Sequence, residues 1–140
     1  MKPNEERIMD TERLQERIAD YLKALDQLAK AAQQPKDEFL RDSVIQRFEF
    51  THEIAWKMLR LRLEAEYVFV RTPRETLQAA LQAGLIDDGN AWSDLQKMRN
   101  LTSHTYNEQL ADDVYTYVVE RAVTLFRQLA EKATSWQTTS

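Results

Sequence analysis

Arg99, Asn100, His104 and Tyr106 lie together in the stretch KMRNLTSHTYNEQLADD, Lys97 to Asp113. The chain has 2 histidines, and one of them falls here between a cation and a phenol. These residue types suit one chemistry. An imidazole titrates near physiological pH and can take a proton from a ribose 2′-hydroxyl. A guanidinium can hold two phosphate oxygens at once as charge builds on them. Together they could cleave RNA without a metal ion. Asn100 adds a hydrogen-bonding amide beside the arginine. The Tyr106 phenol could orient a nucleotide or itself be modified. One arginine and one histidine supply few groups for phosphoryl transfer, and a two-fold dimer placing two copies face to face would double them.

Spacing alone leaves this reading open. On a continuous helix five residues turn a side chain through ~500°, which leaves Arg99 and His104 ~140° apart. The two converge only if the helix ends near Thr102 or Ser103 and the chain turns back. The plain alternative is a solvated arginine and a helix-terminal histidine, favoured there by the helix dipole. Glu49 and His52 form a Glu-x-x-His pair of the kind found in carboxylate metal centres. A di-iron bundle needs that pair on each of two helices, with further glutamates on the others. His104 has no glutamate three residues before it, so neither a metal site nor a cofactor is expected.

The elements that must position these residues can be read from composition and spacing. At 140 residues and 43% hydrophobic content, the chain suits one domain with a single core. Only 2 glycines and 3 prolines, among abundant Leu, Ala, Glu, Gln and Arg, argue for long helices. The absence of cysteine excludes a disulfide framework and a zinc–thiolate site. No apolar run approaches the ~20 residues needed to span a bilayer. The opening MKPNEERIMDTERL is too polar for a signal peptide. A cytoplasmic protein without membrane contact is therefore expected. A net charge of −4 and no basic block argue against a generic electrostatic grip on nucleic acid, while leaving room for a local basic pocket.

The apolar periodicity predicts an all-α domain, most simply an up-down four-helix bundle with one short additional helix. Residues 1–9 read as a flexible leader, 10–134 as the bundle and 135–140 as a loose tail. The first helix is expected from a cap at Asp10 or Thr11 to the QQPKD stretch, with Leu14, Ile18, Tyr21, Leu25 and Leu28 on one face. The second runs from about Asp37 to Tyr67, with Phe39, Val44, Ile45, Phe48, Ala55, Trp56, Leu59 and Leu63 facing in. Thr72, Pro73 and Glu75 start a short third helix, with Leu77, Ala80 and Leu81 inside and Gly84 as its C-terminal cap. A fourth, capped by Asp87 or Asp88, carries Trp92, Leu95 and Met98 and frays near His104. The fifth spans roughly Glu108 to Ala133, with Leu110, Val114, Tyr117, Val118, Ala122, Leu125 and Leu129 inward. Trp56, Trp92 and Phe48 are read as core.

RNLTSHTY, Arg99 to Tyr106, resembles the Arg-x4-His-x-Tyr motif of the HEPN superfamily of small helical proteins. RDSVIQRFEFTHEIAWKMLRLRLE, Arg41 to Glu64, looks like the second helix of one branch, the nucleotidyltransferase substrate-binding proteins. TPRETLQAALQAGLIDDGNAWSDLQKMRNLTSHTYNE is similar to that branch throughout, and the resemblance covers about Thr11 to Ala133. It implies a four- or five-helix up-down bundle, usually a homodimer, that associates with a minimal nucleotidyltransferase encoded beside it. In related toxin–antitoxin pairs the HEPN protein is a ribonuclease toxin, and the nucleotidyltransferase neutralises it, in some pairs by adding AMP to the motif tyrosine. Carried onto this chain, the resemblance implies Arg99 and His104 as the ribonuclease pair, Asn100 as the accompanying polar residue and Tyr106 as the AMPylation acceptor. RNA is then the substrate of a metal-independent endoribonuclease. The branch's name implies a second function, a non-catalytic substrate-binding or regulatory subunit that presents a substrate or nucleotide to the transferase. A bundle that only scaffolds a complex is the third.

Overall fold

Several helices begin where a side chain satisfies a free backbone N–H group. The computed structural model describes residues 3–138. Asp37 accepts from Leu40 N at 2.7 Å and opens α2 (Glu38–Glu64). Thr72 accepts from Glu75 N at 3.1 Å, with Pro73 in the first turn, and opens α3 (Pro73–Gln82). Asp88 accepts from Ala91 N at 3.0 Å and opens α4 (Gly89–Leu101). Gly84 closes α3 in the left-handed region at φ +75°, where Leu85 N reaches back to Ala80 O at 2.9 Å.

α1 runs Pro3–Ala32, so Asp10 and Thr11, expected as caps, lie inside it. Pro3 suits a first turn, and Glu5 and Glu6 there complement the dipole, so nothing stops the helix from starting early. Met1 and Lys2, part of the expected leader, lie outside the described residues. α2 ends three residues before the expected Tyr67, because Tyr67 takes a left-handed φ of 63° and Val68 N turns back to Leu63 O at 2.9 Å.

The last helical rod is α5 (Glu108–Tyr117), a π turn (Val118–Ala122) and α6 (Val123–Thr134), unbroken in backbone direction. A π turn spends one extra residue, so the inward face arrives one position late beyond it. Phe126 is consequently the fully buried residue and Leu125 only half-buried, which reverses the expectation. Phe126 is where the bundle meets. Tyr21 of α1, Phe48 of α2 and Trp92 of α4 pack their rings against it with centroids at 6.3, 6.1 and 6.0 Å. The Tyr21 hydroxyl also donates to Phe126 O at 2.6 Å. Trp56, Trp92 and Phe48 are all buried, as expected.

Two expected core residues are outside. Phe39 is 83% exposed, since it lies nine residues before Phe48, about half a turn round α2. Leu81 is 40% exposed and rests against Gly89, where a Cβ would meet Leu81 Cδ2 at 2.7 Å. At the other end, the buried Arg41 reaches from α2 to Glu108 at 2.7 Å and Asp112 at 3.3 Å, fastening the start of α5. Of the tail, the described part folds back on α1: Gln15 Nε2 donates to Trp136 O at 2.9 Å, and Thr138 N donates to Gln15 Oε1 at 3.0 Å. Thr139 and Ser140 lie outside the described residues. The result is an all-helical bundle with α3 as the short additional helix.

Candidate functional site

α4 ends where convergence of the motif requires it. Leu101 is followed by a single 3-10 turn, Thr102–His104. Hydroxyls in series draw the chain out of the α-helix. Thr102 Oγ1 donates to Arg99 O at 2.7 Å, Ser103 Oγ donates to Asn100 O at 3.0 Å and Thr105 Oγ1 donates to Thr102 O at 3.1 Å. Such side-chain bonds offer carbonyls a partner other than the next helical N–H. Asn107, which the sequence reading did not single out, then caps α5 by accepting from Leu110 N at 3.1 Å.

Arg99 is half-buried at the end of α4. Its Nη1 donates to Thr102 Oγ1 at 2.9 Å and stands 3.7 Å from Glu49 Oε2. Both contacts use one nitrogen, and among the described residues no partner takes Nε or Nη2. Part of the guanidinium fork therefore remains available for an anion. His104 is exposed, and its ring meets the Tyr106 ring edge-on at 6.0 Å and 81°. Tyr106 is 83% exposed, so its ring is not packed into the core. Asn100 is exposed and its Oδ1 accepts from Gln96 Nε2 at 3.4 Å. The structure thus places His104 with Tyr106, and Arg99 with Glu49 and Thr102, on either side of one turn. No hydrogen bond joins Arg99 to His104 among the described residues.

A supporting layer lies behind the motif. The Glu-x-x-His pair on α2 is engaged by α4: Glu49 by Arg99, and His52 Nε2 by Gln96 Oε1 at 2.8 Å. Gln96 thereby links the buried His52 to Asn100. Burial lowers the His52 pKa to about 4, and the nearby Arg99 charge acts in the same direction, against the bond to Gln96. The ring is neutral at pH 7. Gln96 was missed by the sequence reading, although its i,i+4 spacing to Asn100 is a legible signal. The tie from Glu49 and His52 to α4 is tertiary and could not be read from one helix.

An up-down helical bundle that ends its fourth helix at Arg-x4-His-x-Tyr defines a HEPN-type domain. Residues 16–135 match the family described as "Nucleotidyltransferase substrate binding protein like", and the chain belongs to that family. Among curated proteins it is similar to a "Probable ribonuclease HepT" of Haemophilus influenzae, 35% identical over 79 residues. That match covers 53% of this chain and 54% of the relative, so the chain spans about half the length of the curated relative it matches. Two solved structures share the fold. A Thermus thermophilus protein is 32% identical with a TM-score of 0.69, covering 82% of this chain and 96% of that one. A Haemophilus influenzae protein, described as revealing the fold of a substrate binding domain of a nucleotidyltransferase, is 26% identical with a TM-score of 0.64, covering 89% of this chain and 98% of that one. No described helix is long and apolar enough to cross a membrane.

Proposed function

We propose that this protein is the HEPN-type partner of a minimal nucleotidyltransferase and acts as a metal-independent endoribonuclease. The observation that carries the reading is the turn itself. It leaves His104 and part of the Arg99 fork open to solvent at one junction, with Arg99 anchored by Glu49 and Thr102 and the His104 ring against Tyr106. A base and an anion clamp held in this way suit attack by a ribose 2′-oxygen on the adjacent phosphate. His104 takes the 2′ proton, the P–O5′ bond breaks and a 2′,3′-cyclic phosphate forms, with Arg99 against the phosphoryl oxygens. A second copy related by two-fold symmetry would supply a proton donor for the 5′-oxygen. The exposed apolar side chains of Leu101 (38%) and Tyr106 (83%) flank the turn and suit such a dimer face. The relative named as a probable ribonuclease supports the activity, and the neighbour described as a substrate binding domain of a nucleotidyltransferase supports the partner. The test is RNA cleavage in EDTA by the purified protein, abolished in His104→Ala. Cleavage that survives that substitution, or that requires an added metal, contradicts the mechanism.

The exposure of Tyr106 favours a linked regulatory reading. Its oxygen is accessible for attack on the α-phosphate of ATP held by the partner, with pyrophosphate leaving. The AMP so attached would set an anion beside Arg99 and occupy the place of the RNA phosphate. Co-expression with the transferase should raise the intact mass by AMP units in the wild type and not in Tyr106→Phe. An unmodified chain that still binds the transferase tightly would favour the non-catalytic subunit reading instead.

A further inference from the structure

The groove between α3 and α4 differs from the two other larger clefts of the molecule. It encloses about 650 Å³, within the range of small-ligand sites. Its apolar floor is made by Leu77, Leu81 and the edge of Trp92, and it runs to Asn100 at the motif. Arg74 and Lys97 line it, and no carboxylate does. Neither cation has a salt-bridge partner among the described residues. Several acidic groups in the flanking segments are engaged elsewhere: Glu75 with Arg71 N, Asp87 with Lys132 and Asp88 with the α4 cap. The two other larger clefts both contain carboxylates. The one between α1 and α2 mixes Asp20 and Glu53 with Arg17, Lys23 and Lys57, and the one between α4 and the last rod holds Asp88, Asp94 and Glu120 beside Arg121.

A chain of net charge −4 thus keeps two unpaired cations over an apolar floor in a groove that opens beside its candidate catalytic turn. We infer that this groove binds a nucleotide unit. The base lies on Leu77 and Leu81, which explains why Leu81 is left uncovered, and the phosphate meets Arg74 and Lys97. The amides of Gln96 and Asn100 mark the end nearest the motif, so a bound unit is connected to the His104 turn through residues that already touch each other. The same chemistry is offered by an RNA strand and by a free nucleotide. Taking the strand as the native occupant rests on the ribonuclease reading; the binding site itself does not.

The experiment is fluorescence anisotropy of a short labelled oligoadenylate with the full-length His104→Ala protein, which keeps the probe uncut. It is repeated with Arg74→Glu and Lys97→Glu added, and with unlabelled ATP as competitor. Arg74 and Lys97 both lie at the surface, so folding of the variant is expected and is checked by its circular dichroism and melting. Saturable binding is expected, weakening about tenfold or more in the double charge reversal, with a shallower dependence on salt. Competition by ATP identifies a free-nucleotide site, and its absence identifies a strand subsite; either outcome supports the groove. Oligoadenylate binding that is unchanged in the folded double variant, or absence of binding by both probes, overturns it. Because the protein used cannot cleave, a wild type that fails to cut RNA leaves this result standing, and a failed groove leaves the cleavage result standing.

Discussion

At the scale of single residues, His104 and His52 show how differently the same side chain can be placed. His104 is exposed on a turn, and removing it takes away a reactive group but little packing. His52 is buried and neutral, and its pKa is lowered to about 4 chiefly by desolvation. In the unfolded chain it titrates near 6.5, so the unfolded state binds more protons between those two values. Stability is therefore fully present above about pH 6.5 and declines as pH falls from there towards about 4. The His52 contribution to that loss approaches about 3 kcal/mol. Urea titrations at a series of pH values should show His52→Gln losing less stability than the wild type across that window. Parallel profiles for the two proteins would mean that His52 is not buried as described. The motif residues were legible because their types and spacing carry chemistry. Their supports were not, because nothing on α2 alone shows that α4 will bring Arg99 to Glu49 and Gln96 to His52.

Elements were legible wherever a local signal set their ends. Thr72 with Pro73, Gly84 and Asp88 each do what their side chains or backbone freedom allow. The misplacements have equally local causes: Pro3 starts α1 as readily as Asp10 could, and the π turn moves the inward face from Leu125 to Phe126. The cap of α4, the helix that carries the motif, is Asp88. Asp88→Ala removes the acceptor for Ala91 N and should cost about 1 kcal/mol. Thermal melts should show a drop of roughly 3 °C. A melting point unchanged by Asp88→Ala would show that the capping bond contributes nothing net in solution.

For the whole molecule, a hydrophobic hub joins α1, α2, α4 and the last rod, while the motif stands at the end of α4 with the His104 and Tyr106 side chains exposed. The fold class followed from composition and period. The meeting of Tyr21, Phe48 and Trp92 on Phe126 did not, since it depends on helix register. On the proposed mechanism a second copy completes the site, so light scattering at micromolar concentration should report a dimer. A strictly monomeric species would remove the composite site. The central claim, that Arg99 and His104 cleave RNA by attack of the 2′-oxygen, is tested most directly by the chemistry of the product ends. RNA incubated with the protein in EDTA should yield 2′,3′-cyclic phosphate and 5′-hydroxyl termini, and an RNA whose 2′-hydroxyls are methylated should stay intact. Products ending in 3′-hydroxyl and 5′-phosphate, or cleavage of the methylated strand, would contradict it.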